Sequence, residues 1–135
     1  LLYIMTGLAS ATFSKKEHIV SQKLIEQLFS KGNSHSTSAF PLRIVYMEKD
    51  REESEEPVMV MVSVSKRHFK RAVKRNRVKR QIREAYRHHK TILTEKIAEG
   101  KQLAVAFIWL SDELCESTQV ERSVKHLLGK VAERV

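Results

Sequence analysis

Residues 66–90 read KRHFKRAVKRNRVKRQIREAYRHHK and carry twelve Lys or Arg side chains against one acid, Glu84. The local net charge is +11 while the whole 135-residue chain is +9, so the other 110 residues sum to −2. Basicity is thus a property of one segment, and that segment is where a polyanionic partner would bind. Apolar residues run through it at helical spacing. Val78, Ile82, Ala85 and Tyr86 fall at i, i+4, i+7 and i+8, with His89 at i+11 and Leu93 at i+15, a stripe about 100° wide. Asn76, Arg80, Arg83 and Arg87 lie on the opposite side, flanked by Arg77 and Lys79. A disordered basic tail has no such stripe. An ordinary solvated face mixes signs, because like charges at i, i+4 repel by about 0.2–0.5 kcal/mol per pair. The segment therefore reads as a packed amphipathic helix with a cationic outer face.

Two strongly apolar stretches bracket this helix. Residues 58–65, VMVMVSVS, are apolar on both faces until Ser63 and Ser65, which predicts a central strand covered on both sides. Residues 103–110, LAVAFIWL, read as a second buried strand with Trp109 in the core. Between them the helical pattern continues through Ile92, Leu93, Ile97 and Ala98 to Gly100. Thr91 and Thr94 are break points that leave one helix or two open. Strand, helix, strand is a βαβ unit, whose sheet needs helices against it.

Further out, residues 40–47, FPLRIVYM, predict a strand with Phe40, Leu42, Ile44 and Tyr46 on one face and Arg43 on the other. Residues 48–57, EKDREESEEP, hold six acids and two bases and read as an exposed hairpin-type loop without the ligand spacing of a metal site. Upstream, Val20, Leu24, Ile25, Leu28 and Phe29 repeat at helical spacing, and Gly32 stops that helix. Its start is either a capping box at Ser14 to Glu17 or an N-cap at Ser21. Residues 33–39, NSHSTSA, read as a polar loop with His35 in solvent. At the other end, Thr118-Gln119-Val120-Glu121 is a capping box for a final helix with Val120, Val124, Leu127, Leu128 and Val131 on one face. The predicted order is α-β-β-α-β-α, an α/β (α+β) sandwich with a small, mainly central sheet covered by helices.

At 135 residues and 41% hydrophobic content, one domain can build its core without disulfides. A single cysteine, Cys115, provides neither a disulfide framework nor a thiolate metal site, and predicts a reducing cytoplasmic setting. No apolar run approaches the roughly 20 residues of a membrane span, so no membrane association is expected. Residues 1–12 are expected to be a poorly ordered extension of a single domain at 13–135, with Met5 an alternative initiator. The sequence has no Gly-rich phosphate loop, nucleophile elbow, His/Glu zinc spacing or paired carboxylates near a His. Neither catalytic residues nor a metal site is expected on the protein.

Two runs carry a family resemblance: Ser63-Val64-Ser65-Lys66-Arg67, and Ala72-Val73-Lys74-Arg75-Asn76-Arg77-Val78-Lys79-Arg80-Gln81-Ile82-Arg83-Glu84-Ala85-Tyr86. They resemble the protein subunit of bacterial ribonuclease P, in which a strand ending in SVSKK or similar leads into an A-V-x-R-N-R-x-K-R-x-[IL]-R-E-A-[FY] helix. Leu28-Phe29-Ser30-Lys31-Gly32 is similar to that family's V-F-x-x-G, and the likeness runs from about Phe13 to Val135. The resemblance implies a βαβ crossover of the rare left-handed kind, against the general right-handed rule. It also implies that a catalytic RNA removes the 5′ leader of precursor tRNA with Mg²⁺, while the protein binds ribonuclease P RNA and the leader, with no obligate protein partner. Arg75, Asn76, Arg77, Lys79, Arg80 and Arg83 match the RNA-binding helix positions, and Arg87 extends their face. Phe29, Ser63, Ser65, Lys66 and Arg67 match the leader-binding surface.

The sequence departs from the pattern twice. His68-Phe69-Lys70-Arg71 stands where many members have a shorter Gly-containing turn, and Ile25 takes a position often aromatic, whereas base stacking requires a ring. A general RNA-binding or ribosome-associated accessory protein would use the same basic helix. A DNA-binding regulator fits less well, since a recognition helix normally follows a short helix and turn, whereas two strands precede this one. A self-contained nuclease is the most distant reading.

Overall fold

The interior of the molecule is organised on one strand, Lys101–Trp109, in which every residue from Gln102 to Phe107, and Trp109, is buried. A computed structural model describes residues 17–19, 22–30, 32, 34–52 and 55–135. Its elements are α1 (Gln22–Phe29), β1 (His35–Ala39), β2 (Leu42–Asp50), β3 (Val58–Ser63), α2 (Ala72–His89), α3 (Thr91–Thr94), β4 (Lys101–Trp109) and α4 (Ser117–Arg134). The sheet order is β1-β2-β4-β3. β1 and β2 pair antiparallel, as do β2 and β4, whereas β3 runs parallel to β4 through the α2 and α3 crossover. The mixed sheet with helices is the expected fold class.

Alternation along the strands divides the core in two. Leu103, Val105, Phe107 and Trp109 of β4 join Leu42, Ile44 and Tyr46 of β2 and Val58 and Val60 of β3 against α2, α3 and α4. Val78, Ile82, Ala85 and Tyr86 dock here as the helical stripe predicts, and the Tyr86 and Phe107 rings lie 6.1 Å apart. Burial pushes the Tyr86 phenol far above its ordinary pKa, so it stays neutral. The opposite face carries Val45, Met47, Ala104 and Ala106, and the small alanines leave room for Leu28 of α1. Each fully buried Leu or Ile contributes about 1.5–3 kcal/mol.

Several expectations are corrected. Residues 35–39, expected as loop, form edge strand β1, which pairs residue for residue with β2 from His35↔Tyr46 to Ala39↔Leu42; His35 is exposed as expected. β2 runs on to Asp50, taking three residues from the expected acidic loop, with Lys101 Nζ donating to Asp50 Oδ1 at 2.8 Å. Phe40 falls outside the strand, in the turn, and is 65% exposed. β3 is an edge strand and not the central one, with β4 on one side. Residues 17–19 lie along its other side, where His18 bridges Val60 and the Ile19 N–H donates to the Val60 carbonyl at 3.0 Å. The helical pattern after α2 breaks into a separate α3, as the threonines allow, but α3 ends at Thr94, so Ile97 and Ala98 lie in non-helical chain and not in a helix reaching Gly100.

The helix ends also differ. α1 begins at Gln22, so Glu17 is not part of a capping box; Ser14 and Ser21 lie outside the described residues, as do residues 1–12. Glu17 instead accepts from Lys90 Nζ at 2.9 and 3.1 Å, both side chains being 8% exposed, so the segment before α1 is fastened to the end of α2. α4 starts at Ser117 with Glu116 as its N-cap. Gln81 Nε2 donates to the Cys115 carbonyl (2.9 Å) and the Ser117 hydroxyl (3.1 Å), and Glu121 pairs with His89 at 2.7 Å. These contacts replace the expected Thr118 box and tie α2 to α4. Gly32 adopts φ +92°, the left-handed conformation expected where α1 is stopped.

Candidate nucleic-acid interface

With Val78, Ile82, Ala85 and Tyr86 buried, the outer side of α2 is fixed by its packing. Asn76, Arg77, Arg80 and Arg83 are exposed there, and Lys79 is half-buried. The first turn of the helix contains no acid and no side chain caps it. The positive end of the helix dipole therefore adds to the side-chain charge. Asn76, Arg80, Arg83, Glu84 and Arg87 form one wall of a shallow open groove, and His18 forms the other.

The basic positions are not equivalent. Arg87 pairs with Glu84 through two nitrogens, Nε donating to Oε2 at 3.2 Å. The Arg87 hydrogen bond, opposed by slight desolvation, holds the Glu84 carboxyl below its ordinary value. The charge of Arg87 is thus largely answered within the helix. Arg75 folds back over the chain before α2, where its Nη1 donates to the carbonyls of Phe69 and Lys70, both at 2.8 Å. Asn76, Arg77, Arg80 and Arg83 are left as the outward face.

The same contacts explain the longer turn before the helix. Phe69 is buried in the core, and His68 Nδ1 lies 2.7 Å from Asp112 Oδ1 in the loop after β4. Together with Arg75 they pin residues 68–71. Immediately before, the Ser65 hydroxyl accepts from the Arg67 N–H (3.1 Å) and the Ser65 carbonyl from the His68 N–H (3.1 Å). This compact turn leaves the side chains of Lys66 and Arg67 exposed.

A second groove lies on the α1 face of the sheet. Phe29, 46% exposed, lines it with Ser34, Ser36, Arg43, Val45 and Ile108. Arg43 Nη2 donates to the Ser36 hydroxyl at 3.2 Å. Strand register puts Ser63, Ile108, Arg43 and Ser38 in one row across all four strands. The aromatic ring, the guanidinium and the hydroxyls make a channel suited to an extended chain carrying bases and phosphates.

The expected leader-binding residues thus separate. Phe29 stands over this groove, Ser63 is one strand from its Ile108 wall, and Ser65, Lys66 and Arg67 occupy the turn leading to α2. Sequence reasoning omitted Arg43, Ile108 and His18. Strand alternation placed Arg43 away from the Tyr46 face, and only the pairing of β1 shows that this side is a groove. His18 carried no local signal, since the edge of β3 brings it to α2.

A family model described as Ribonuclease P matches residues 13–132. The chain is similar to the ribonuclease P protein component of Porphyromonas gingivalis, 39% identical over 132 residues, covering 97% of this chain and 94% of that one. It is also similar to the ribonuclease P protein component of Chlorobium phaeobacteroides, 34% identical over 113 residues, 78% of this chain and 77% of that one. The fold resembles that of a Staphylococcus aureus RNase P protein mutant with defective mRNA degradation activity, with TM-score 0.65, 21% identity and 98% of both chains covered. It likewise resembles the RNase P protein of Thermotoga maritima in complex with 1-(4-fluorophenyl)-2-thiourea, with TM-score 0.63, 18% identity and coverage of 83% of this chain and 97% of that one. The chain belongs to the ribonuclease P protein family.

Proposed function

We propose that this chain binds ribonuclease P RNA through the outer face of α2 and holds the 5′ leader of precursor tRNA along the α1 face of the sheet. In this reading the RNA cleaves the leader, and the protein acts as an accessory that positions it, in the cytoplasm. The observation that carries the proposal is the exposed row of Asn76, Arg77, Arg80 and Arg83 on a helix whose opposite side is fully buried. A helix fixed by its core presents guanidinium forks at set spacing, so phosphates of a folded RNA meet donors that need little ordering. Recognition is then through backbone and shape. Phe29 offers a ring for one leader base, with Arg43 and the Ser63 row beside it. Lys66 and Arg67 would take phosphates between the two surfaces.

Among the described residues no three His, Cys, Asp or Glu side chains are placed to hold a metal ion. In this reading the Mg²⁺ of the reaction belongs with the RNA. Reconstitution tests the proposal: with the cognate ribonuclease P RNA, this protein should permit cleavage of precursor tRNA at Mg²⁺ concentrations where the RNA alone is slow. RNA binding without any gain in processing would favour a general RNA-binding accessory protein, and robust cleavage by RNA-free protein would favour a nuclease.

A further inference from the structure

The segment before α1 does more than cover the edge of β3. Its bridge to Val60 and the buried Glu17–Lys90 pair hold it from both sides, at the strand and at the end of α2. Between those fastenings His18, half-buried, faces Asn76, Arg80, Arg83, Glu84 and Arg87 across the groove. We propose that His18 is a proton-dependent phosphate ligand of the RNA-binding surface, closing over a backbone phosphate that Arg80 and Arg83 draw into the groove. The proposal rests on the reading of α2 as an RNA-binding helix and adds a contact from a different part of the chain.

The electrostatics set the direction of the coupling. Around His18 stand Arg80, Arg83 and Arg87 from α2, Glu84 already engaged by Arg87, and Glu17 engaged by Lys90. From β3 the apolar Val60 lies beside it. Burial first, and the Arg83 charge second, hold the His18 imidazole below its ordinary value, with Glu17 acting weakly the other way. In the free protein the ring is therefore neutral at pH 7. A phosphate seated between His18 and Arg83 reverses the balance, because an adjacent anion favours the imidazolium. Binding then takes up a proton, and affinity rises as pH falls.

The test is the dissociation constant of the cognate ribonuclease P RNA at pH 6, 7 and 8 and fixed ionic strength, for wild type, His18→Gln and His18→Arg. Wild type should gain about fivefold to tenfold in affinity from pH 8 to pH 6 beyond any gain in His18→Gln, as one linked proton allows. His18→Arg should bind tightly with the flat profile of His18→Gln. The rest of the chain is common to all three proteins, so the difference between their profiles reports on this ring. A His18→Gln profile as steep as wild type overturns the proposal, even with lowered affinity, and leaves the reading of α2 standing. A wild-type protein that fails to bind the RNA at any pH overturns both.

Discussion

Replacing Lys90 by Met should destabilise the protein by about 2–3 kcal/mol, and the geometry sets both ends of that range. Lys90 Nζ donates to both oxygens of Glu17, and each side chain is only 8% exposed. Truncating one partner of such a pair and leaving the other charge buried costs about 3–5 kcal/mol. A second route limits the loss, because residues 17–19 can peel from β3 and let Glu17 hydrate. Peeling forfeits Ile19 burial, about 2 kcal/mol, and the Ile19 to Val60 hydrogen bond, about 1 kcal/mol. Regained backbone entropy offsets part of that. The cheaper route wins, hence about 2–3 kcal/mol, which at a urea m-value of about 2 kcal/mol/M moves the unfolding midpoint by about 1–1.5 M. The double variant Glu17→Leu/Lys90→Met removes both charges and should recover most of the loss. A single variant within 0.2 M of wild type (about 0.4 kcal/mol), or a double variant no better than the single, would show that Lys90 does not neutralise a buried Glu17 charge.

Ile82→Ala empties a fully buried site between α2 and the sheet, and should cost about 2–5 kcal/mol by chemical denaturation. Phe29→Ala should weaken binding of precursor tRNA by about 1–3 kcal/mol in the reconstituted enzyme while leaving mature tRNA unaffected, as expected for one lost stacking platform. Glu84→Gln removes the carboxylate that offsets the Arg87 charge and should raise RNA affinity and steepen the salt dependence by up to roughly 0.9 of a log unit per log unit of salt. In wild type, an NMR titration should find the Glu84 carboxyl ionising below its ordinary 4.5, because its charged form is the one Arg87 stabilises; a midpoint at or above 4.5 would show the pair to be absent in solution.

What the sequence revealed follows the range over which each signal acts. Val78, Ile82, Ala85 and Tyr86 were legible as a docked stripe, and Arg80 and Arg83 as its opposite, because helical periodicity is local. β1 was not, since HSTSA has no apolar alternation and becomes a strand only by pairing with β2. β3 was read as central because both its faces are apolar, yet its second edge is covered by residues 17–19, some 40 positions away. Glu17 looked like a cap residue because its true partner, Lys90, lies 73 positions along the chain. The site divides in the same way: Phe29 and the arginines of α2 came from local motifs, whereas Arg43 and His18 are placed by strand register and edge pairing. Even within the basic helix, the contacts of Arg75 to the turn and of Arg87 to Glu84 are invisible to a count of charge.

If the outer face of α2 contacts phosphate, the salt dependence of RNA affinity shows it. Arg80→Ala/Arg83→Ala should fold as wild type, since both side chains are exposed, and should bind the cognate RNA more weakly. The slope of log affinity against log salt should flatten by roughly 1.4–1.8, two phosphate contacts at about 0.7–0.9 each. A double variant with the wild-type slope would show that this face of α2 is not an RNA contact, because two guanidinium groups that release no counterions are not touching the RNA.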